Sequence, residues 1–361
     1  MEKKRKMPKW LKAVLVVLCA VVVIALCYFA YVFIAYHRIG NEVLTVSGKP
    51  AGEAQTEREY KIVSYNIGFG AYESDYGFFM DGGTESWAWS PERLAVNLGN
   101  ISEFLAKQNA DFYIVQEVDR DSTRSYHTDE LVPLTAAIGG GSAYTWAQNY
   151  DSPFLFYPFT QPHGKSVSGL LTVSSFPITK ADRVELPIED TLMKLLDLDR
   201  CYAVNRIPVA GGKEFVLYNF HLSAYTSDGT IATEQLKLLL ADMQNEYDKG
   251  NYCIAGGDFN KDLLGDSEAI FGTADKEYSW AQPIPKGTFD GVNVTLVAPL
   301  DKDDPVPSCR NADGPYHEGQ YVLTVDGFLV SDNVEVNASK VIDLGFAYSD
   351  HNPVEMTFTL K

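Results

Sequence analysis

The hydrophobic pattern changes period several times along the chain, and each change marks a different kind of element. Residues 13–36 are 24 consecutive positions without a formal charge, nearly all apolar. At helical rise they cover about 36 Å, enough to cross a roughly 30 Å hydrocarbon core with some tilt. Further on, Leu94, Leu98, Ile101 and Leu105 recur at helical spacing behind Ser90 and Pro91. Ser90 can cap and Pro91 suits a first helical position, so the pattern predicts a helix up to Asn109. A second helix is predicted over 230–249, with Leu236, Leu239, Leu240, Met243 and Tyr247 on one face and Gly250 as its stop. Compact apolar runs at 112–115 and 252–255 follow these helices. Other strand candidates are 60–65, 169–173, 202–209, 214–220, 321–330 and 354–360. Many strands with few helices predict two packed sheets covered by helices.

Where these runs stop, polar residues cluster. The clusters are Ser64-Tyr65-Asn66, Gln116-Glu117, Asn219-Phe220-His221-Leu222, Gly257-Asp258-Phe259-Asn260, Val325-Asp326-Gly327-Phe328 and Ser349-Asp350-His351-Asn352-Pro353-Val354. A lone Asp or Asn after a strand is most often a turn former. Six clusters at strand ends instead describe a rigid scaffold bringing carboxylates, amides and imidazoles to one rim. Glu117 directly after a buried strand needs a partner, and a hard, oxygen-seeking cation would supply it. Gly256 and Gly257 let the backbone approach a ligand closely and permit positive φ, which turns the next side chains into a cleft.

In this order the clusters resemble the endonuclease/exonuclease/phosphatase superfamily, which includes pancreatic deoxyribonuclease, the abasic-site endonucleases and the neutral sphingomyelinases. The resemblance runs from about residue 60 to 354. It implies an α/β fold, a four-layer α/β/β/α sandwich of two packed mixed sheets, and metal-dependent cleavage of a phosphoester. By the same resemblance Glu117, Asn66 and Asp350 hold Mg²⁺ (or Mn²⁺) and Asp258 handles the attacking water. Asn260 helps place the phosphate, Asp326 orients His351, and His221 is the second phosphate ligand. These assignments suit the residue types: a carboxylate can orient or deprotonate water, and a protonated imidazole can stabilise charge growing on a phosphoryl oxygen. Three positions depart from the family pattern. The usual I-D-Y-I-F reads Val325-Asp326-Gly327-Phe328-Leu329, N-T-H-L reads N-F-H-L around His221, and the Arg of G-x-A-I-L-S-R-x-P is Ser175.

The ends and the charge refine the picture. Lys3, Lys4, Arg5, Lys6, Lys9 and Lys12 precede the apolar stretch, with only His37 and Arg38 just after it. The positive-inside rule then puts the N-terminus in the cytoplasm and the rest of the chain outside. A cleaved signal peptide is the competing reading, but Tyr28-Phe29-Ala30-Tyr31-Val32-Phe33 is bulky where a cleavage site should be small. The expected organisation is a basic tail (1–12), a transmembrane helix (13–36), a polar Gly/Pro-punctuated stalk (37–58) and a catalytic domain (59–361). The seven basic and one acidic residue of 1–38, against a chain total of −18, leave −24 for residues 39–361. Such a domain gains no counterion-release affinity for a polyanion.

A single-pass, extracytoplasmic phosphoesterase is therefore expected, acting on a small or lipid-linked phosphodiester or phosphomonoester. An anchored nuclease and a catalytically silent binding module are the alternatives, the second opposed by the intact site residues. The aromatic insert 72–89, with Tyr76, Phe78, Phe79, Met80, Trp87 and Trp89, is either a lid or apolar contact surface, or a loop packed on its own rings. Its place just before Asp326 suggests residues 305–320, with Arg310 and His317, as a second specificity loop. Cys201, Cys253 and Cys309 lie outside the span; three is odd, so at least one is free or pairs between chains, and a Cys201–Cys309 bridge stays open.

Overall fold

A computed structural model describes residues 7–189, 199–224, 230–273 and 281–361; residues 1–6 of the basic tail lie outside them. The first element, α1 (Lys9–Ala35), is long and apolar enough to cross a membrane, and nearly all of it is exposed. Residues 37–58, expected as a stalk, run instead along the domain. The short strand β1 (Glu42–Val43) pairs with β6 (Lys180–Glu185), and the fully buried Ala54 bridges to Val209. The fully buried Arg183 donates to the carbonyls of Ile39 and Gly40 at 2.8 Å each and to that of Gln148 at 2.7 Å. The buried anchors Leu44 and Ala54 are too far apart to produce a period, so the sequence pattern could not reveal this packing.

One mixed sheet contains β2 (Glu59–Asn66), β3 (Phe112–Asp119), β4 (Ala143–Leu155), β5 (Gly164–Ser174), β14 (Val334–Val341) and β15 (Val354–Leu360). Its spatial order is β14-β15-β2-β3-β5-β4. The other contains β7 (Cys201–Val209), β8 (Lys213–His221), β9 (Tyr252–Asp258), β10 (Val294–Val297) and β13 (Asp326–Ser331), in the order β1-β6-β7-β8-β9-β13-β10. A two-stranded piece, β11 (Cys309–Arg310) with β12 (Val322–Leu323), lies between.

The two sheets pack face to face through Ile62, Phe112 and Ile114 of one and Ile207, Phe215, Leu217 and Ile254 of the other. Helix α2 (Pro91–Gln108) covers the first sheet, laying Leu94, Leu98, Ile101 and Leu105 on Val63, Tyr65 and Val115. It starts as expected: Ser90 Oγ accepts from the Arg93 N–H at 3.1 Å, and Asn109 closes the helix at φ 47°. The short α3 (Leu131–Ile138) extends this layer. On the far side α4 (Thr230–Asp248) packs Leu236, Leu239, Leu240 and Met243 on Val216, Tyr218 and Cys253, and α5 (Ser267–Phe271) follows later in the chain. These are the four layers expected.

Each sheet has one parallel pair at its centre, β2 with β3 and β8 with β9. Parallel neighbours finish at the same edge, so their four C-terminal ends deliver Asn66, Glu117, His221 and Asp258 to one rim. Beneath that rim the Gln116 amide donates across the sandwich to Asn219 Oδ1 at 2.8 Å, and Asn219 donates to the Leu171 carbonyl at 2.9 Å. Those two motif residues lock the sheets together below the site; they do not enter it.

Candidate active site

Local backbone devices turn the side chains inward. The ladder between β3 and β5 slips between Val115 and Val118, and Glu117 in that bulge has φ 56°. A bulge re-aims a side chain, and positive φ on a non-glycine persists only where its surroundings enforce it. Gly257 sits at φ 147°, where a Cβ would come within 2.0 Å of the Phe220 carbonyl oxygen, so only glycine fits beside His221. Gly327 has an equally tight reason: a Cβ there would meet Leu263 at 2.7 Å and the Val297 carbonyl at 2.8 Å. That crowding accounts for the missing aromatic of the D-Y motif.

Asp258 is the centre of the arrangement. Its Oδ2 accepts from the Asn66 amide at 3.1 Å and lies 3.3 Å from His221 Nε2 and 3.7 Å from His351 Nε2. Its Oδ1 accepts from the Asn260 backbone N–H at 2.8 Å. Behind His351, Nδ1 meets Asp326 Oδ2 at 2.7 Å, and the Ser308 hydroxyl donates to the same oxygen at 2.7 Å. Asn66 reaches Glu117 Oε1 at 3.4 Å, its own Oδ1 accepting from Gly68 N–H. Asn260 donates its amide to the Leu222 carbonyl at 2.8 Å. Asp350 lines the same cleft, bonded by the Ser349 hydroxyl, which also donates to the Asn66 carbonyl at 2.8 Å. All eight residues expected from the sequence thus meet in one place: six line a cleft of about 530 Å³, and the buried Asn66 and Asp326 stand behind them in hydrogen bonds to Asp258 and His351.

The electrostatics separate their roles. Burial raises Asp258 to about 7, against the pull of His351 and with the push of Asp326. Burial opposes charge on His351 too, but Asp326, Cys309 and Asp350 together outweigh it and hold the imidazolium well above its ordinary range. His221 goes the other way: burial first, then Arg200, His351 and Arg124, push it well below. That shift favours the neutral ring over a charged donor at this position. Burial lifts Glu117, and Asp350 adds to the lift while Arg124 opposes it; burial likewise lifts Asp350. Among the described residues, Asp258, Asp326 and His351 bring one ligand-type atom each within 4.8 Å of one another.

Two cationic residues were not visible in the sequence motifs. Arg124 forks onto Asp119 at 2.9 and 3.0 Å, reaches Glu117 Oε2 at 3.6 Å and stacks over Phe69 at 3.9 Å. Arg200 is buried at the cleft wall, donates to the His221 carbonyl at 3.4 Å and, among the described residues, has no partner at Nε. A basic residue opening an apolar strand in so acidic a chain was the signal available for Arg200.

The loops contribute differently from what was expected. Arg310 is buried and donates to the carbonyls of Asn311, Gly314, Glu73 and Tyr76, so it clamps the aromatic insert to the rim. His317 is exposed. Within the insert Tyr72, Tyr76 and Phe78 are buried; Tyr72 and Phe78 line the cleft together with the more exposed tip, Phe79-Met80-Asp81. All the cysteines are free, so no Cys201–Cys309 bridge forms.

A family model of the endonuclease/exonuclease/phosphatase family matches residues 63–351, and the chain belongs to that family. Its members are metal-dependent enzymes that cleave phosphoesters, the enzyme class expected from the sequence. Among solved structures, the fold is similar to an endonuclease/exonuclease/phosphatase from Beutenbergia cavernae (TM-score 0.56, 15% identity, covering 84% of this chain and 72% of that one). It is also similar to a family protein from Leptotrichia buccalis (0.54, 16%, 83% and 100%). The 2',3'-cyclic phosphatase ANGEL2, in complex with adenosine-2',3'-vanadate, is similar as well (0.55, 15%, 88% and 98%). No curated protein matches the chain by sequence.

Proposed function

We propose that this chain is a membrane-anchored, extracytoplasmic, metal-dependent phosphodiesterase for a small or lipid-linked phosphoester. The observation that carries this reading is Asp258, raised to about 7 and set between two imidazoles, one neutral and one held charged. A carboxylate with that affinity for a proton can take one from water near neutral pH. Neutral His221 and the Asn66 amide fix its Oδ2, and the Asn260 N–H fixes its Oδ1, so the base is preorganised. The charged His351, oriented by Asp326, donates toward a phosphoryl oxygen, and Asn260 and Arg200 are disposed to hold others.

The donor chemistry beside it fits a divalent ion. Glu117 and Asp350 are partly buried carboxylates that repel one another, and the guanidinium within reach, Arg124, is already forked onto Asp119. Hard oxygens with uncompensated charge suit Mg²⁺ or Mn²⁺. Glu117, Asn66 and Asp350 would hold it, and it would supply Lewis-acid polarisation and charge neutralisation at the phosphate. The tighter cluster of Asp258, Asp326 and His351 suits a cation less well, because its closest contact is the internal His351–Asp326 hydrogen bond.

Supporting the anchored and extracytoplasmic parts of the reading are the apolar α1 and the basic residues ahead of it. The acidity of residues 39–361 disfavours a long nucleic acid. The test is turnover of full-length protein in lipid nanodiscs on a soluble phosphodiester, phospholipid and duplex DNA, at low and moderate salt. DNA as much the best substrate, with cleavage falling steeply as salt rises, would replace this reading with a nuclease.

A further inference from the structure

The cleft mouth is physically joined to α1. Strand β4 is the edge of its sheet, and its end leaves backbone groups unpaired on the side away from β5. Tyrosine hydroxyls from α1 take them up. Tyr28 donates to the Phe154 carbonyl at 3.2 Å and accepts from the Phe156 N–H at 3.0 Å; Tyr31 accepts from the Phe154 N–H at 3.2 Å. The Tyr28 and Phe156 rings meet at 5.9 Å.

Depth along the helix gives these contacts their meaning. Tyr28 lies eight residues before Tyr36, about 12 Å back from the helix end. A helix of 27 residues is about 40 Å long and the hydrocarbon core about 30 Å thick. With α1 centred in that core, Tyr28 lies about 7 Å inside the outer boundary. At that level a sheet edge cannot be left to water, and hydroxyl partners from the spanning helix satisfy it. The side chains there are the wrong kind for an aqueous surface: Phe156, Tyr157 and Phe159 are 52, 62 and 74% exposed and stack on one another within 5.8 Å. Contiguous exposed apolar surface marks an interaction site, and aromatic residues are favoured at the membrane interface. Arg183, holding Ile39 and Gly40, fixes the exit of α1 so that the domain keeps this face toward the bilayer.

The same residues open onto the chemistry. Tyr28, Phe156 and Tyr157 line the cleft that ends at Asp258 and His351. We infer that the 154–159 loop dips into the leaflet that α1 crosses, and that a membrane phosphodiester reaches Asp258 by lateral entry from that leaflet. Its acyl chains stay on the aromatic platform while its phosphate enters the polar end. The entry route rests on the phosphodiesterase reading above; the loop's contact with lipid does not.

Two measurements on the full chain test this. The protein is reconstituted in vesicles of phosphatidylethanolamine, phosphatidylglycerol and sphingomyelin with p-benzoylphenylalanine at position 159 or, as control, at the exposed α2 position 96. Irradiation should crosslink lipid at 159 and not at 96; no lipid adduct at 159, or equal adducts at both, overturns the insertion. Phe159 lies outside the cleft, so Phe159→Asp should leave hydrolysis of bis(p-nitrophenyl) phosphate within about twofold of wild type. It should lower hydrolysis of the vesicle lipids by at least about tenfold. Wild type that cleaves the soluble ester but no lipid overturns lateral entry and leaves the phosphodiesterase reading standing. Lipid crosslinking at 159 with neither ester cleaved removes that reading and the entry route, and leaves the insertion.

Discussion

The cleft has two walls built on different principles. The polar wall, with Glu117, His221 and Asp258 backed by the buried Asn66, stands on the C-terminal ends of the central parallel strands. The aromatic wall, with Phe79, Met80, Phe156 and Tyr157, comes from loop tips at the edge of one sheet, pinned by Arg310, Trp87 and the tyrosines of α1. Charged groups that must hold a fixed geometry need the stiffest part of the scaffold. Apolar groups that meet a fluid partner need only be held near it. Damage to the first wall should therefore abolish chemistry on any substrate, whereas damage to the second should alter stability or the choice of substrate.

The largest effect expected is from Asp258→Asn, which should lower turnover by at least about 10²-fold on soluble and lipid esters alike. Its stability should not fall. Burial raises the pKa of Asp258, so its ionised form is disfavoured on folding and costs stability as pH rises toward 7; a neutral amide removes that cost. A variant that melts well below wild type, or turns over normally, would make Asp258 a structural residue. His351→Ala should cost turnover by a similar factor through loss of its charged donor.

On the aromatic side, Arg310→Ala removes four hydrogen bonds and leaves the Gly314 and Tyr76 carbonyls without the guanidinium that they face, which should destabilise the fold by about 3 kcal/mol or more, measured by denaturant melting. Unchanged stability would mean that the insert needs no clamp. Trp87→Ala should have a smaller effect, about 1–3 kcal/mol, because it loses the 2.7 Å bond to the Pro162 carbonyl and the edge contact with Tyr126. A merely lid-like Trp87, with lipid activity lost and stability kept, is the opposite result. It is the outcome an insert serving as an apolar contact surface would give, but the half-buried, hydrogen-bonded indole argues for a tie between the two loops.

The smallest effect is a shift in pH profile. Activity should rise through about pH 7 as Asp258 ionises and fall only at higher pH as His351 loses its proton. Removing a neighbouring negative charge favours the neutral imidazole, so Asp326→Asn should move the alkaline limb to lower pH. An unmoved limb would dissociate Asp326 from His351.

The two walls also differ in how far the sequence revealed them. Central strands such as β3 and β9 are buried on both faces and open as apolar runs, so the polar residues ending them stand out. Outer strands do not. In β14, at one sheet edge, with Glu335, Asn337 and Lys340, and in β6, next to the short edge strand β1, with Lys180, Asp182 and Arg183, polar residues interrupt the runs and no element is legible. The long β4 was hidden because half of its residues face away from the core. The 154–159 loop shared that fate: its aromatic residues carry no period, and only three-dimensional proximity to α1 gives them meaning. The insert at 72–89 stands out by composition, yet Tyr72, Tyr76 and Phe78 join the core that α2 lays on the first sheet. Neither the neutrality of His221 nor the roles of Arg124 and Arg200 could be read locally, because the groups that set them come from distant parts of the chain.

The central claim is that the polar wall hydrolyses phosphoesters with a divalent ion held by Glu117, Asn66 and Asp350. The most direct measurement is hydrolysis of a soluble phosphodiester by the full chain in nanodiscs, after exhaustive chelation and on titration with Mg²⁺. Wild type should be inactive in chelator and recover fully with Mg²⁺, while Glu117→Gln should need at least about tenfold more Mg²⁺ for half-recovery, as expected on losing a carboxylate ligand. Full activity in chelator, or a Glu117→Gln titration that overlays wild type, would contradict it.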